Sequence, residues 1–142
     1  MTNLADLVEN DIANYWLSSS AMVFTRPTIW HASLHNAAGQ SSAETNAAFT
    51  ATEFASSVGA YARVQITSWS SNGSGAVANN ASASFPLATA AWGSANALGI
   101  WGGGTTLPGS GNLIFWVNIT QVAVSSNDTV TIGASAITLT IT

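Results

Sequence analysis

The sequence predicts a mainly β fold: an antiparallel β-sandwich or jelly-roll-like domain with one N-terminal α-helix. Three observations lead there. From Pro27 onward, apolar and polar residues alternate with a period of two in short runs. Glycine-rich turns separate those runs. Helical spacing is confined to the first stretch of the chain. With 142 residues the chain suits one domain large enough to bury a hydrophobic core. Residues 1–20 are read as a helix and linker, part of the same unit as a β-sandwich spanning 21–142.

The helix is expected over residues 3–17, where Leu4, Leu7, Val8, Ile12, Tyr15 and Trp16 recur at spacings of three and four. Asn3 is placed to cap it, and Asp6 favours the positive end of its dipole. Ser18, Ser19 and Ser20 have poor helix propensity and end it. Its apolar stripe is expected to pack on its own domain; the competing reading is an arm that docks on a neighbouring subunit.

A first strand covers 28–35, with Trp30, Ala32 and Leu34 on one face and Ile29, His31, Ser33 and His35 on the other. Residues 36–59 show no clear period and look like a long excursion anchored by Phe49 and Phe54. A second strand is expected over 60–69, with Ala62, Val64 and Ile66 inward. Asn72-Gly73 is a hairpin signal. The run through Ala81, Ala83, Phe85 and Leu87 contains Pro86, which argues for an edge strand or bulge. Further strands are expected at 94–101 and 113–120, the latter apolar on both faces. The segment 102–111 is a glycine-rich loop. Val130, Ile132, Ile137, Leu139 and Ile141 close the pattern in alternation, so the C-terminal run is expected to be pinned in a sheet.

Composition excludes several functions. The charged side chains amount to two arginines and six carboxylates, giving a formal charge of -4. Arg26 and Arg63 alone cannot neutralise a run of phosphates, so neither nucleic acid nor a membrane surface is expected as a partner. The absence of cysteine removes disulfides, thiolate nucleophiles and cysteine metal ligands. No secretory signal or apolar membrane span is visible, which points to synthesis in a cytoplasm. The triplets at Asn72, Asn80, Asn118 and Asn127 are therefore taken as chance matches to a glycosylation acceptor. A surface of Ser, Thr, Asn and Ala with so few charges suits a protein that lives assembled against other protein.

Catalytic chemistry finds little support. Asp6, Glu9 and Asp11 sit where acidic residues favour a helix start. On a strand, His31 and His35 share a face but stand roughly 13 Å apart, too far to hold one ion. A third ligand would have to be Glu44, Glu53 or Asp128, and the spacing singles out none. No Gly-x-Ser-x-Gly turn is present. Gly102, Gly103 and Gly104 lack the Lys-Ser/Thr of a phosphate-binding loop and read as a hairpin loop. The expectation is therefore no enzyme, no catalytic residue, no metal and no cofactor. Trp30 falls on the inward face. Trp69, Trp92, Trp101 and Trp116 are candidates for a subunit interface, where tryptophan is enriched.

Four segments in order resemble a family of small bacteriophage virion proteins, often labelled tail-fibre-like or head-decoration proteins. Arg26-Pro27-Thr28-Ile29-Trp30-His31-Ala32-Ser33-Leu34-His35 is similar to the family's opening strand. Glu53 followed by Gly59-Ala60-Tyr61-Ala62-Arg63 is similar to its Glu and Gly-Tyr-Ala-Arg run, with an extra residue between Gly59 and Tyr61. Asn80 to Trp92 with Gly93 resembles a strand and corner built around Phe-Pro and Trp-Gly, and Leu98-Gly99-Ile100-Trp101 resembles the next strand. Gly111-Asn112-Leu113 and the alternation from Asp128 to Thr142 complete the match, which covers almost the whole chain. The excursion at 36–52 is longer than the family's usual loop.

The resemblance implies a structural protein of a bacteriophage virion, with Glu53 and Arg63 as a structural pair. The expected role is a capsid decoration, or cement, protein on the outside of the head. It would act as a homotrimer, with the major capsid protein as partner, and stabilise the shell by binding only its assembled form. The alternative is a tail-fibre or receptor-binding, glycan-binding virion module.

Overall fold

The chain was analysed in a computed structural model, which describes residues 2–17, 26–37, 45–71 and 75–140. Its elements are β1 (Thr2–Leu4), α1 (Asp6–Leu17), β2 (Trp30–His35), α2 (Asn46–Thr52), β3 (Val64–Ile66) and β4 (Trp69–Ser71). There follow β5 (Ala76–Asn79), β6 (Ala83–Ser84), β7 (Gly93–Gly102), β8 (Asn112–Val124), β9 (Thr131–Ile132) and β10 (Thr138–Thr140). The strands form a five-stranded sheet in the order β1-β8-β7-β2-β3, a three-stranded sheet β10-β5-β4 and a two-stranded sheet β6-β9. Every pairing is antiparallel, as the hydropathy alternation predicts.

Long β7 and β8 form the spine, pairing from Gly93↔Val124 to Gly102↔Asn112. The register shifts between Ile100 and Trp101, so that Ile100 faces Phe115 but Trp101 faces Leu113. The extra residue, Ile114, sends both Ile114 and Phe115 to the main core while Leu113 and Trp116 go to the opposite face. A run that is apolar on both faces is thus a central strand buried on both sides.

The main core lies between the five-stranded sheet and the two smaller sheets. It gathers Ala32, Leu34, Ile66, Phe85, Leu98, Ile100, Phe115 and Ile137. Trp30, Ala32 and Leu34 point into it, as the alternation predicts, with Trp30 half-buried at its margin. On the other face of the sheet, α2 covers a second cluster of Ala5, Phe49, Trp101, Leu113 and Trp116.

Three expectations are corrected. The helix begins at Asp6, because Thr2–Leu4 instead pair with the edge of β8 in the register Thr2↔Val117, Asn3↔Trp116, Leu4↔Phe115. Asn3 is therefore a strand residue and not a cap. The periodless excursion is anchored by buried Phe49 and Phe54, as expected, and it contains α2, whose single buried side chain is Phe49. It is capped by Thr45, whose Oγ1 accepts from the Ala48 N–H at 3.2 Å. The strand expected over 60–69 is cut to β3, and Ala60 and Gly59 adopt positive φ before it. The Pro86 run pairs only at Ala83–Ser84, after which Phe85 and Ala88 donate their N–H groups to Val130 and Asp128. The Asn72-Gly73 turn lies outside the described residues, but the strands on either side of it, β4 and β5, pair with each other. The serines after α1 and Ile141 also lie outside the described residues.

Candidate functional site

Two features could carry function: a buried polar network under α2 and the exposed helix α1. The network begins with strand alternation. β2 places Ser33 and His35 on the face away from the main core, where α2 and β7 enclose them completely. The indole N–H of Trp101 donates to Ser33 Oγ at 2.6 Å, and Ser33 Oγ lies 2.6 Å from His35 Nε2. His35 Nδ1 lies 3.1 Å from Thr52 Oγ1, whose hydroxyl donates to the Phe49 carbonyl. The chain of donors closes when His35 is neutral, with its proton on Nδ1 and Nε2 accepting from Ser33. Burial, and after it the Arg63 charge, lower the His35 pKa to about 3, against a smaller opposing contribution from the Phe49 backbone. Gly99 makes room for this pair: a Cβ there would come within 2.8 Å of His35 Nε2 and Ser33 Oγ.

Beside it lies the pair Glu53 and Arg63. The guanidinium donates through Nε at 2.7 Å and Nη2 at 2.6 Å to the two carboxylate oxygens. Its Nη1 donates to the Ser110 carbonyl, and its Cζ sits 3.8 Å above the Trp101 ring. Both side chains are sealed from solvent. Tyr61 donates to Glu53 Oε1 and accepts from the Leu34 N–H. Burial first, and the Glu53 charge second, hold its phenol well above the usual tyrosine range, so it stays a donor. The structural pairing of Glu53 with Arg63, which the sequence resemblance implied, is present with full two-point geometry.

These groups form a hydrogen-bonded core that is buried apart from the half-buried Thr52 and Ser110 at its edge. Ser33 and His35 are a hydroxyl–imidazole pair fully buried in the fold. The other candidates lie apart. His31 turns Nδ1 towards the Gly103 carbonyl at 3.3 Å, and burial lowers its pKa, more than that contact raises it. Asp128 accepts from the Ser125 N–H at 2.7 Å and closes a turn. Asp6 and Glu9 lie in the first turn of α1. Glu44 lies outside the described residues. Among the described residues, no three His, Asp or Glu side chains converge as metal ligands would.

The tryptophans expected at an interface are redistributed. Trp92, Trp101 and Trp116 are buried within the chain and so cannot face a partner, whereas Trp69 is half-buried. Trp101 and Trp116 are buried because α2 covers the second face of β7 and β8, and Trp92, just before β7, packs into the main core against Phe54, Tyr61 and Phe85. The exposed one is Trp16 on α1, 77% accessible, beside Tyr15 and the 87% accessible Leu17. Leu7 and Ile12 are also exposed. The side chain that α1 buries is instead Asp11. The expectation that this helix packs its apolar stripe on its own domain is therefore met only by Leu4, in β1, and Val8, which lie partly buried against the main core, and is overturned for Leu7, Ile12, Tyr15 and Trp16. Pairing of β1 with β8 fixes where the helix leaves the sheet, and that constraint decides its orientation ahead of burial of its stripe. Large apolar groups exposed together on one helix make a candidate interaction surface. Burying them on a partner offers on the order of 5 kcal/mol per chain.

Compared with known protein families, residues 3–140 match the model of a family described as Podophage GP4 fiber I protein gp80. No curated protein matches the chain.

Proposed function

The chain belongs to the Podophage GP4 fiber I protein gp80 family, and from that premise we propose that it is a non-enzymatic fibre subunit that assembles through α1. That family membership makes it a structural, fibre-type protein of a phage virion. The exposed apolar side chains of α1, most of all Tyr15, Trp16 and Leu17 in its last turn, are the observation that supports the mode of assembly. Other copies of the chain are the partners, in a closed ring such as a homotrimer, because symmetric closure buries the exposed end of every copy of α1 at once. The buried network supports the non-enzymatic part of the reading, since its ionisable groups are all committed to one another.

The sequence resemblance to head-decoration proteins supports a second reading, a cement protein seated on the major capsid protein at the capsid surface. Copy number separates the two. Quantitative mass spectrometry of purified particles should find a few to about twenty copies per virion, as a symmetric fibre requires. Copies in the hundreds would overturn the fibre reading and favour decoration of the head.

A further inference from the structure

Strand β8 outruns its neighbour on one side. β1 meets it only at 115–117, so along 119–124 its outer edge has no strand beside it among the described residues. Next to that edge lies a hollow of about 340 Å³, between β8 and the stretch 130–137. Leu34, Leu98, Ile132 and Ile137 are buried at its base, while Val122 and Ala136 stand exposed at its rim. No charged side chain lines it among the described residues.

The end of α1 does not fill this hollow in its own chain. The helix leaves the sheet at the other end of β1, where the Ala5 N–H donates to the Ile114 carbonyl. Tyr15, Trp16 and Leu17 are exposed at its last turn. One chain therefore carries an apolar projection and an apolar hollow that do not meet.

We propose that the hollow receives the end of α1 from a second copy of the chain, with Trp16 and Leu17 inserted. The inference rests on the assembly reading and names the surface that meets α1. Charge supports the match: Asp6 and Glu9 lie in the first turn of the helix, about two turns from Trp16, so insertion desolvates no ion. Area supports it as well. Large side chains bury about 150–250 Å² each. Ile12, four residues before Trp16 and on the same side of the helix, adds to the last turn. Counting the receiving surface, the contact covers on the order of 1,000 Å², the size at which specific interfaces begin. The hollow beside Trp30 and Trp69 is also apolar, but Arg26 lines it, a charge that an uncharged helix end would leave unmatched. Because projection and hollow are different surfaces, the contact is head-to-tail. It closes as a ring in which every copy gives one helix end and receives one.

The test is a complementation in solution, read by sedimentation equilibrium on the full chain. Val122→Glu/Ala136→Glu puts charge on the rim, and neither side chain belongs to the buried core. This variant should fall to monomer mass with an unchanged circular-dichroism spectrum. Ala136→Trp, which fills the hollow without adding charge, should do the same. Mixed with the Leu7→Ser/Tyr15→Ser/Trp16→Ser variant, which keeps its hollow, the rim variant should form a one-to-one heterodimer and nothing larger, at up to hundreds of micromolar. Only one intact projection and one intact hollow then remain. Rim and filled variants that both assemble as the wild type does would overturn the proposal, and so would a mixture that stays monomeric. If the helix variant alone loses assembly, the hollow is wrong and the assembly reading stands. A monomeric wild type would overturn both.

Discussion

Arg63→Met should destabilise the fold by about 3–5 kcal/mol, read as a shift of the denaturant midpoint with unchanged slope. The substitution leaves the Glu53 carboxylate sealed from water, with one remaining side-chain donor, Tyr61 at 3.2 Å. It also removes the cation from the Trp101 face and the donor from the Ser110 carbonyl. Against a typical stability of about 5–15 kcal/mol, this is a large fraction of the whole. The double variant Glu53→Leu/Arg63→Met should recover a substantial part of the loss, because the cost lies in an uncompensated buried charge more than in the missing attraction. A single-variant loss below about 1 kcal/mol would show that the pair is not buried as described.

The second large effect is acid lability. His35 is neutral in the folded protein, with its pKa lowered to about 3. In the unfolded chain it takes up a proton below about pH 6.5. The stability it contributes is therefore fully present above that pH and is lost progressively as pH falls towards the folded value. The slope is about 1.4 kcal/mol per pH unit, so roughly 2 kcal/mol is gone by pH 5. Carboxylates titrate over part of the same range, so the informative quantity is the difference from His35→Gln. Denaturant unfolding of both proteins from pH 7 to pH 4.5 should show the wild type losing stability faster by about this amount. Parallel curves would contradict it.

Much of the architecture is legible in the residues, and the exceptions have physical causes. β2 follows from the alternation of Trp30, Ala32 and Leu34, and β7 and β8 from long apolar runs. Helix α2 escaped because seven residues hold one apolar anchor, Phe49, too few for a 3.6-residue period to repeat. Its only local sign was Thr45 as a cap. The start of α1 was misplaced because Leu4 satisfies both a helical spacing and a strand pairing, and the free edge of β8 decides between them. Trp101 and Trp116 looked available for an interface because nothing local announces that α2 will cover that face. The polar network was partly visible: His31, Ser33 and His35 share a strand face, and Glu53 with Arg63 came from the family resemblance. That Ser33 and His35 are buried neutral partners, and no reactive pair, depends on Trp101, Thr52 and Gly99, which are distant in sequence.

The buried groups Glu53, Arg63 and His35 are spent internally, while large apolar groups stand exposed on α1. Assembly through the exposed apolar side chains of α1 is the central claim, and solution mass tests it most directly. Sedimentation equilibrium of the wild type should give a closed oligomer, a trimer in the simplest case. The Leu7→Ser/Tyr15→Ser/Trp16→Ser variant should give a monomer with an unchanged circular-dichroism spectrum, because none of the three side chains supports the core. A monomeric wild type at concentrations of tens of micromolar, or a variant that assembles as the wild type does, would contradict the account.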